Sequence, residues 1–233
     1  MAEGAAAPPG FHVIRPPQHE EIATANGPAI VHRGHGERAE VALTFDDGPS
    51  SWTREIAATF ERHDCLATFF LLGVPVGERP EVVAALATAG HEVGNHLWSH
   101  SDASTQSHAE LRDEIEQTAE EIEAAGAPRP VLVRPPYFSA PRAVAEAAVG
   151  LGVEAIVLRS IGTSDWEAES PDQIVNPVLA NVQAGDIICF HDGVSPDERD
   201  TDSRQPTADA VERLIPALLE RSLQPVTVST LLR

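Results

Sequence analysis

The chain has 233 residues, 42% of them apolar, with 36 acidic against 16 basic side chains and a formal net charge of -20. That length suits one domain or a small barrel with a sizeable core. The acidic excess argues against nucleic acid and anionic membrane as partners, though not against a local site for an acidic group, and no apolar run is long enough to insert in a membrane.

Residues 1–27, rich in Ala, Pro and Gly, read as an extended or partly ordered arm ahead of a domain over 28–233. The first ten residues hold no basic stretch and no apolar core, so they do not form a secretory signal. The expected location is the cytoplasm, or outside the cell if a leader has been lost. Residues 29–32 read as a short strand that Gly34-His35-Gly36 turns toward 41–45, predicting a hairpin. The buried strand at 41–43 leads into Thr44-Phe45-Asp46-Asp47-Gly48-Pro49, where Gly-Pro turns the chain.

A helix follows from 51 to about 63, then a strand over 67–72, a helix over 80–89 opened by Pro80, and a strand over 91–95. Residues 107–125 give the clearest helix, with Leu111, Ile115, Ala119 and Ile122 on one face and a Glu run expected to face solvent. Further strands are expected at 130–133, 154–158, 186–190 and 225–228, with helices at 141–149, 171–182 and 208–221 and a polar loop at 195–206. Alternation of strand and helix predicts parallel βαβ units in an α/β fold.

Polar residues follow strand after strand: Asp46-Asp47, His96 and His100, Arg134 and Tyr137, Asp165-Trp166, His191-Asp192. A barrel would bring these strand ends to one rim. Neighbouring side chains of an extended segment point opposite ways, so Asp46 and Asp47 can serve different ends, one holding a metal and the other moving a proton. His96 and His100, spaced i, i+4 on a helix or tight turn, complete a two-His-one-carboxylate set that suits catalytic zinc and also non-haem iron.

Hydrolysis by such an ion needs a base for the attacking water and an acid for the leaving amine. Asp46 fits the base. His191 fits the acid if a carboxylate pairs with it, and Asp165 is the candidate. Arg134 is placed to clamp and aim Asp46, and the Tyr137 backbone N–H, in a proline-stiffened loop, to stabilise an oxyanion. Cys65 and Cys189 read as small core residues, and His12, His19, His32, His35, His63, His91 and His108 carry no comparable spacing.

Five ordered motifs now stand together: Thr44-Phe45-Asp46-Asp47-Gly48-Pro49, His96-Leu97-Trp98-Ser99-His100, Arg134-Pro135-Pro136-Tyr137, Asp165-Trp166 and Ile187-Ile188-Cys189-Phe190-His191-Asp192. Over residues 28–233 the chain resembles the polysaccharide deacetylase family, the NodB-homology domain of carbohydrate esterase family 4. The resemblance implies a distorted (β/α)7-type barrel and a divalent ion, zinc first, with cobalt or nickel as alternatives, on Asp47, His96 and His100. It implies Asp46 as base, His191 as acid, Arg134 and Asp165 as their respective partners, Tyr137 as oxyanion donor, and a substrate site of Pro136, Tyr137 and Trp166.

The implied activity removes acetyl from an N-acetylated sugar, a chitooligosaccharide or peptidoglycan-like glycan. The alternatives are the same chemistry on a small amide or nucleotide sugar, or a catalytically silent carbohydrate-binding module. Four positions depart from the family pattern. Leu97 stands for Ser or Thr, predicting a lost hydrogen bond and a looser metal site; Ser101 stands for Pro; Arg159 and Gly162 stand for Trp and Asp where the cleft is shaped.

Overall fold

A computed structural model describes residues 7–15, 27–194 and 203–233. Its strands are β1 His12–Val13, β2 Ala29–Val31, β3 Glu40–Gly48, β4 Thr68–Leu71, β5 Glu92–Asn95, β6 Leu132–Val133, β7 Ala155–Val157, β8 Ile161–Gly162, β9 Ile187–His191 and β10 Gln224–Pro225. The helices are α1 Thr53–Glu61, α2 Gly73–Glu78, α3 Pro80–Thr88, α4 His108–Ala124, α5 Pro141–Ala147, α6 Pro171–Asn181, α7 Gln205–Glu220 and α8 Val228–Leu231. The sheet runs β1-β8-β9-β3-β4-β5-β6-β7-β2, with β10 beside the start of β3. All its pairings are parallel except β1 with β8. Beyond β2, Arg33 bridges to Asp186 just ahead of β9, so the sheet curls into a distorted α/β barrel. The carboxyl ends of β3, β5, β6, β8 and β9 share one rim.

Strand β3 shows why the sequence folds this way. It is buried on both faces, as a parallel strand covered on each side should be. Val41, Leu43 and Phe45 pack outward in a cluster with Ile56 and Phe60 of α1 and Leu214, Ile215 and Leu218 of α7. Phe45 stacks between Phe69 and Phe190, with centroids 5.1 and 5.5 Å away. The alternate residue Ala42 faces inward with Phe70, Val157 and Ile187, and Thr44 and Asp46 continue that inner row. Helix α4 begins with a capping box in which Ser107 and Glu110 exchange hydrogen bonds.

Several expectations are corrected. The hairpin of 29–32 with 41–45 does not form: β2 pairs with β7 at the far edge of the sheet, and β3 lies between β9 and β4. Strand β3 continues through Gly48, so both aspartates lie within it. The 225–228 strand is only Gln224–Pro225, because the Thr227 hydroxyl accepts from Thr230 N and starts α8. The arm contributes β1 among its described residues. His19 and most of the expected 195–206 loop lie outside the described residues. Both cysteines are free, and among the described residues no helix is long and apolar enough to cross a membrane.

Candidate active site

Asp46 and Asp47 do not point apart. The register of β3 against β4 shifts between Asp46 and Gly48, and Asp47 takes φ 73°. A bulge of this kind re-aims one side chain, and both carboxylates line one cavity. Gly193 permits the close approach of β9 behind them, since a Cβ there would lie 2.0 Å from the Asp47 carbonyl oxygen.

His96 follows β5, and His100 lies four residues on in a bent segment, not a helix; Leu97 and His100 have φ of 65° and 63°. Glu114 of α4 holds that segment. Its carboxylate accepts from Trp98 N at 2.9 Å, Ser99 N at 3.1 Å and Ser99 Oγ at 2.5 Å, so this member of the Glu run is structural and not merely solvated. Despite Leu97, a supporting hydrogen bond is present behind His96. Its Nδ1 lies 2.7 Å from the Arg134 carbonyl, which can only accept, so Nδ1 carries the proton and Nε2 is left as a lone pair. His100 Nδ1 has no hydrogen-bond partner among the described residues.

The two Nε2 atoms stand 3.3 Å (His96) and 3.1 Å (His100) from Asp47 Oδ1, a buried oxygen otherwise without a hydrogen-bond partner among the described residues. A tetrahedral ion with N and O ligands near 2.0–2.1 Å separates them by roughly 3.3 Å. The lone pair of His96 therefore faces an orphaned anionic oxygen at ligand spacing, and a divalent cation fits between these donors. Burial raises the pKa of Asp47, but the adjoining His100 and His96 imidazoles and the His191 charge outweigh it and hold the carboxyl well below its usual value.

Arg134, at the end of β6, is fully buried. Its Nη1 donates to Asp46 Oδ1 at 2.6 Å and Thr44 Oγ1 at 2.8 Å, while Nη2 and Nε donate to the Leu158 and Val157 carbonyls. Every side-chain nitrogen of the buried guanidinium thus has a partner, and Asp46 is held by one oxygen. Its other oxygen, Oδ2, accepts from the Cys189 thiol at 3.4 Å. Burial, reinforced by Asp46, pushes that thiol's pKa well up.

His191 ends β9 with Nδ1 2.8 Å from Asp165 Oδ1. Asp165 also accepts from His191 N at 2.9 Å, Thr163 Oγ1 at 2.9 Å and Thr207 Oγ1 at 2.7 Å. Burial lowers the His191 pKa, but the Asp165 charge and hydrogen bond more than reverse this and bring it to about 9. Asp165 in turn is lowered: burial raises it, and His191 outweighs burial. His191 is therefore an imidazolium at neutral pH, a group able to give a proton.

Tyr137 sits in a turn with φ 57° and packs edge-to-face with His100, the ring centroids 4.8 Å apart. Trp166 stands edge-on to His191 at 4.6 Å. Both line the cavity, of about 480 Å³, with Asp46, Asp47, His96, His100 and His191. Arg134 and Asp165 lie behind its wall, and Pro136 is buried and is not one of its lining residues. Sequence reasoning missed Thr207, Glu114 and the role of Cys189 beside Asp46. Cys189 was within reach, because it lies two residues before His191 on one strand and so shares its face.

The match to known proteins follows this geometry. Residues 33–156 match the family model described as polysaccharide deacetylase. A chitooligosaccharide deacetylase from Bradyrhizobium sp. (strain ANU 289) is 35% identical, over 83% of this chain and 92% of that protein. Among solved structures, the Bc1960 peptidoglycan N-acetylglucosamine deacetylase in complex with 4-naphthalen-1-yl-N-oxidanyl-benzamide superposes with a TM-score of 0.79 at 31% identity, covering 87% of this chain and 92% of that one. BA3943, a CE4 family pseudoenzyme from Bacillus anthracis, also reaches 0.79, at 28% identity over 88% of this chain and 69% of that one. The chain belongs to the polysaccharide deacetylase family and is a carbohydrate deacetylase.

Proposed function

We propose that this chain hydrolyses the N-acetyl amide of an N-acetylated sugar unit, in a chitooligosaccharide or peptidoglycan-like glycan, with a divalent ion, zinc by preference, held by Asp47, His96 and His100. The observation that carries this reading is the meeting, in one cavity, of an Arg134-held carboxylate and an Asp165-held imidazolium on paired strands, their polar atoms within 4.8 Å of each other and beside the three ligand side chains. When bound, the ion supplies Lewis-acid chemistry, making water more acidic and polarising a carbonyl.

The residues of the chain do the rest. Arg134 occupies Oδ1 of Asp46, leaving Oδ2 as the oxygen that takes the proton of the attacking water. Tyr137, at the rim, offers its backbone N–H to the oxygen that becomes negative. His191 gives its Nε2 proton to the departing nitrogen as the C–N bond breaks, so that acetate and a free amine leave. Asp165 keeps that proton in place, and Trp166 and Tyr137 wall the space for the acetyl methyl.

Acetate release from N-acetylglucosamine oligomers, with zinc or cobalt added, tests the reading. Asp46→Asn and His191→Ala should each lower kcat by about 10²–10⁴-fold, the range of general acid–base catalysis. Full activity in both variants would overturn the mechanism. A cavity of about 480 Å³ also suits a small N-acetylated molecule, and a screen of soluble acetamido sugars against polymers decides between the two substrates. A silent binding module is disfavoured, because binding alone has no use for a buried acid–imidazolium pair; glycan binding without turnover by the metal-loaded protein would restore it.

A further inference from the structure

Beside the proposed reaction centre, the same cavity holds a cation that the chemistry above does not use. Arg159 lines it, and its guanidinium carbon lies over Phe138, 3.5 Å from the ring centroid. The Nε atom donates to His12 Nε2 at 3.0 Å, and His12 Nδ1 in turn donates to the Gly10 carbonyl at 2.7 Å. That carbonyl fixes the tautomer of His12, leaving Nε2 free to accept. Arg159 is thus oriented by two neighbours, an aromatic face and a neutral imidazole, neither of which balances its charge.

The terminal nitrogens of Arg159 have no hydrogen-bond partner, and no carboxylate pairs with it, among the described residues. Burial pulls its pKa below the ordinary value, and Arg134 adds to this, while Cys189 and Asp46 oppose it. By contrast the other cation of the site, Arg134, is matched to Asp46.

The arrangement depends on Gly162. A Cβ there would lie 2.3 Å from His12 Cε1 and 2.7 Å from Arg159 Nε. It depends also on β1, whose antiparallel pairing sets His12 opposite Gly162. Arg159 and Gly162 are therefore one device: the glycine vacates the space in which His12 meets and aims the arginine. A planar fork with free donors, fixed at the wall of a substrate cavity, is suited to carboxylate, sulfate or phosphate.

We propose that Arg159 forms an anion subsite, held in place by His12 and Gly162, and that the preferred substrate is an N-acetylated sugar bearing a negatively charged substituent on itself or on the adjoining unit. The proposal rests on the deacetylase reading for the amide and adds the charge. The surface, at -20 overall, repels dense polyanions, so the substrate is a small or sparsely charged molecule.

The test compares turnover by this whole chain, metal-loaded, on a matched set of three: a neutral acetamido disaccharide, the same disaccharide with a uronate neighbour, and the 6-sulfate of the acetamido sugar. At least one charged form should be favoured about tenfold or more in kcat/KM, as a charge-assisted bidentate contact would give. In Arg159→Met the ratio should fall to about one, and in Arg159→Lys it should be partly kept. No preference for either charged form, or a preference that survives Arg159→Met, overturns the subsite. Calorimetric binding of the charged sugars to wild type and Arg159→Met gives a second readout. If no disaccharide releases acetate but the charged one still binds in an Arg159-dependent way, the deacetylase reading fails and the subsite stands. Equal binding to both proteins sinks the subsite whatever the turnover.

Discussion

At the scale of single residues, two ion pairs define the site, and they differ in kind. In the Asp46–Arg134 pair the guanidinium is fully buried and every one of its nitrogens has a partner, so its role is to hold in one orientation a carboxylate that faces the cavity. The Asp165–His191 pair is poised to release a proton, because the histidine's pKa is brought to about 9 by the adjacent carboxylate. A group raised in this way is protonated below that value, and the bound cation pulls it back down, so the alkaline limb of the kcat profile should lie above the ordinary histidine value and below about 9. In Asp165→Asn the charge is gone, and the limb should move down by about one unit or more toward the ordinary histidine value. An unmoved limb in that variant would assign the proton donor elsewhere. The same linkage acts on folding: the contribution of the pair is complete below the unfolded pKa of about 6.5 and fades as pH rises through about 9.

At the scale of elements, the strands deliver residues to the rim and short irregular segments aim them. The bulge at Asp47 turns a side chain that simple alternation would send away from Asp46. The bent segment after β5 brings His96 and His100 to one oxygen, and α4 secures it through Glu114. Glu114→Ala should leave the fold intact and weaken divalent-metal affinity by about 10–100-fold, the cost typical of losing support behind a ligand. Competition against a chelator measures it, and unchanged affinity would show that Glu114 does not set the ligand geometry. Motif residues and helix periodicity were legible in the sequence, since 3.6-residue spacing and Gly-Pro punctuation are local signals. The bulge and the true partner of β2 were not, because each depends on pairing with a strand elsewhere in the chain, β4 for the bulge and the much more distant β7 for β2.

At the scale of the whole molecule, a barrel with an acidic excess carries its own electrostatic strain. Screening should relieve it. Raising salt from about 10 mM to about 150 mM, which shortens the Debye length from roughly 30 to roughly 8 Å, should raise Tm by a few degrees in a thermal unfolding scan; a fall would mean that surface ion pairs outweigh the repulsion. The order of motifs along the chain determined the α/β class and the candidate chemistry-bearing residues, because each motif is contiguous and most stand at or just after a segment with a strand signature. Tertiary structure alone decided that Asp47, His96 and His100 share one point, that Cys189 touches Asp46, and that His12 reaches Arg159. Those contacts join segments far apart in the chain that strand pairing and the shared rim bring together, and no local preference encodes them.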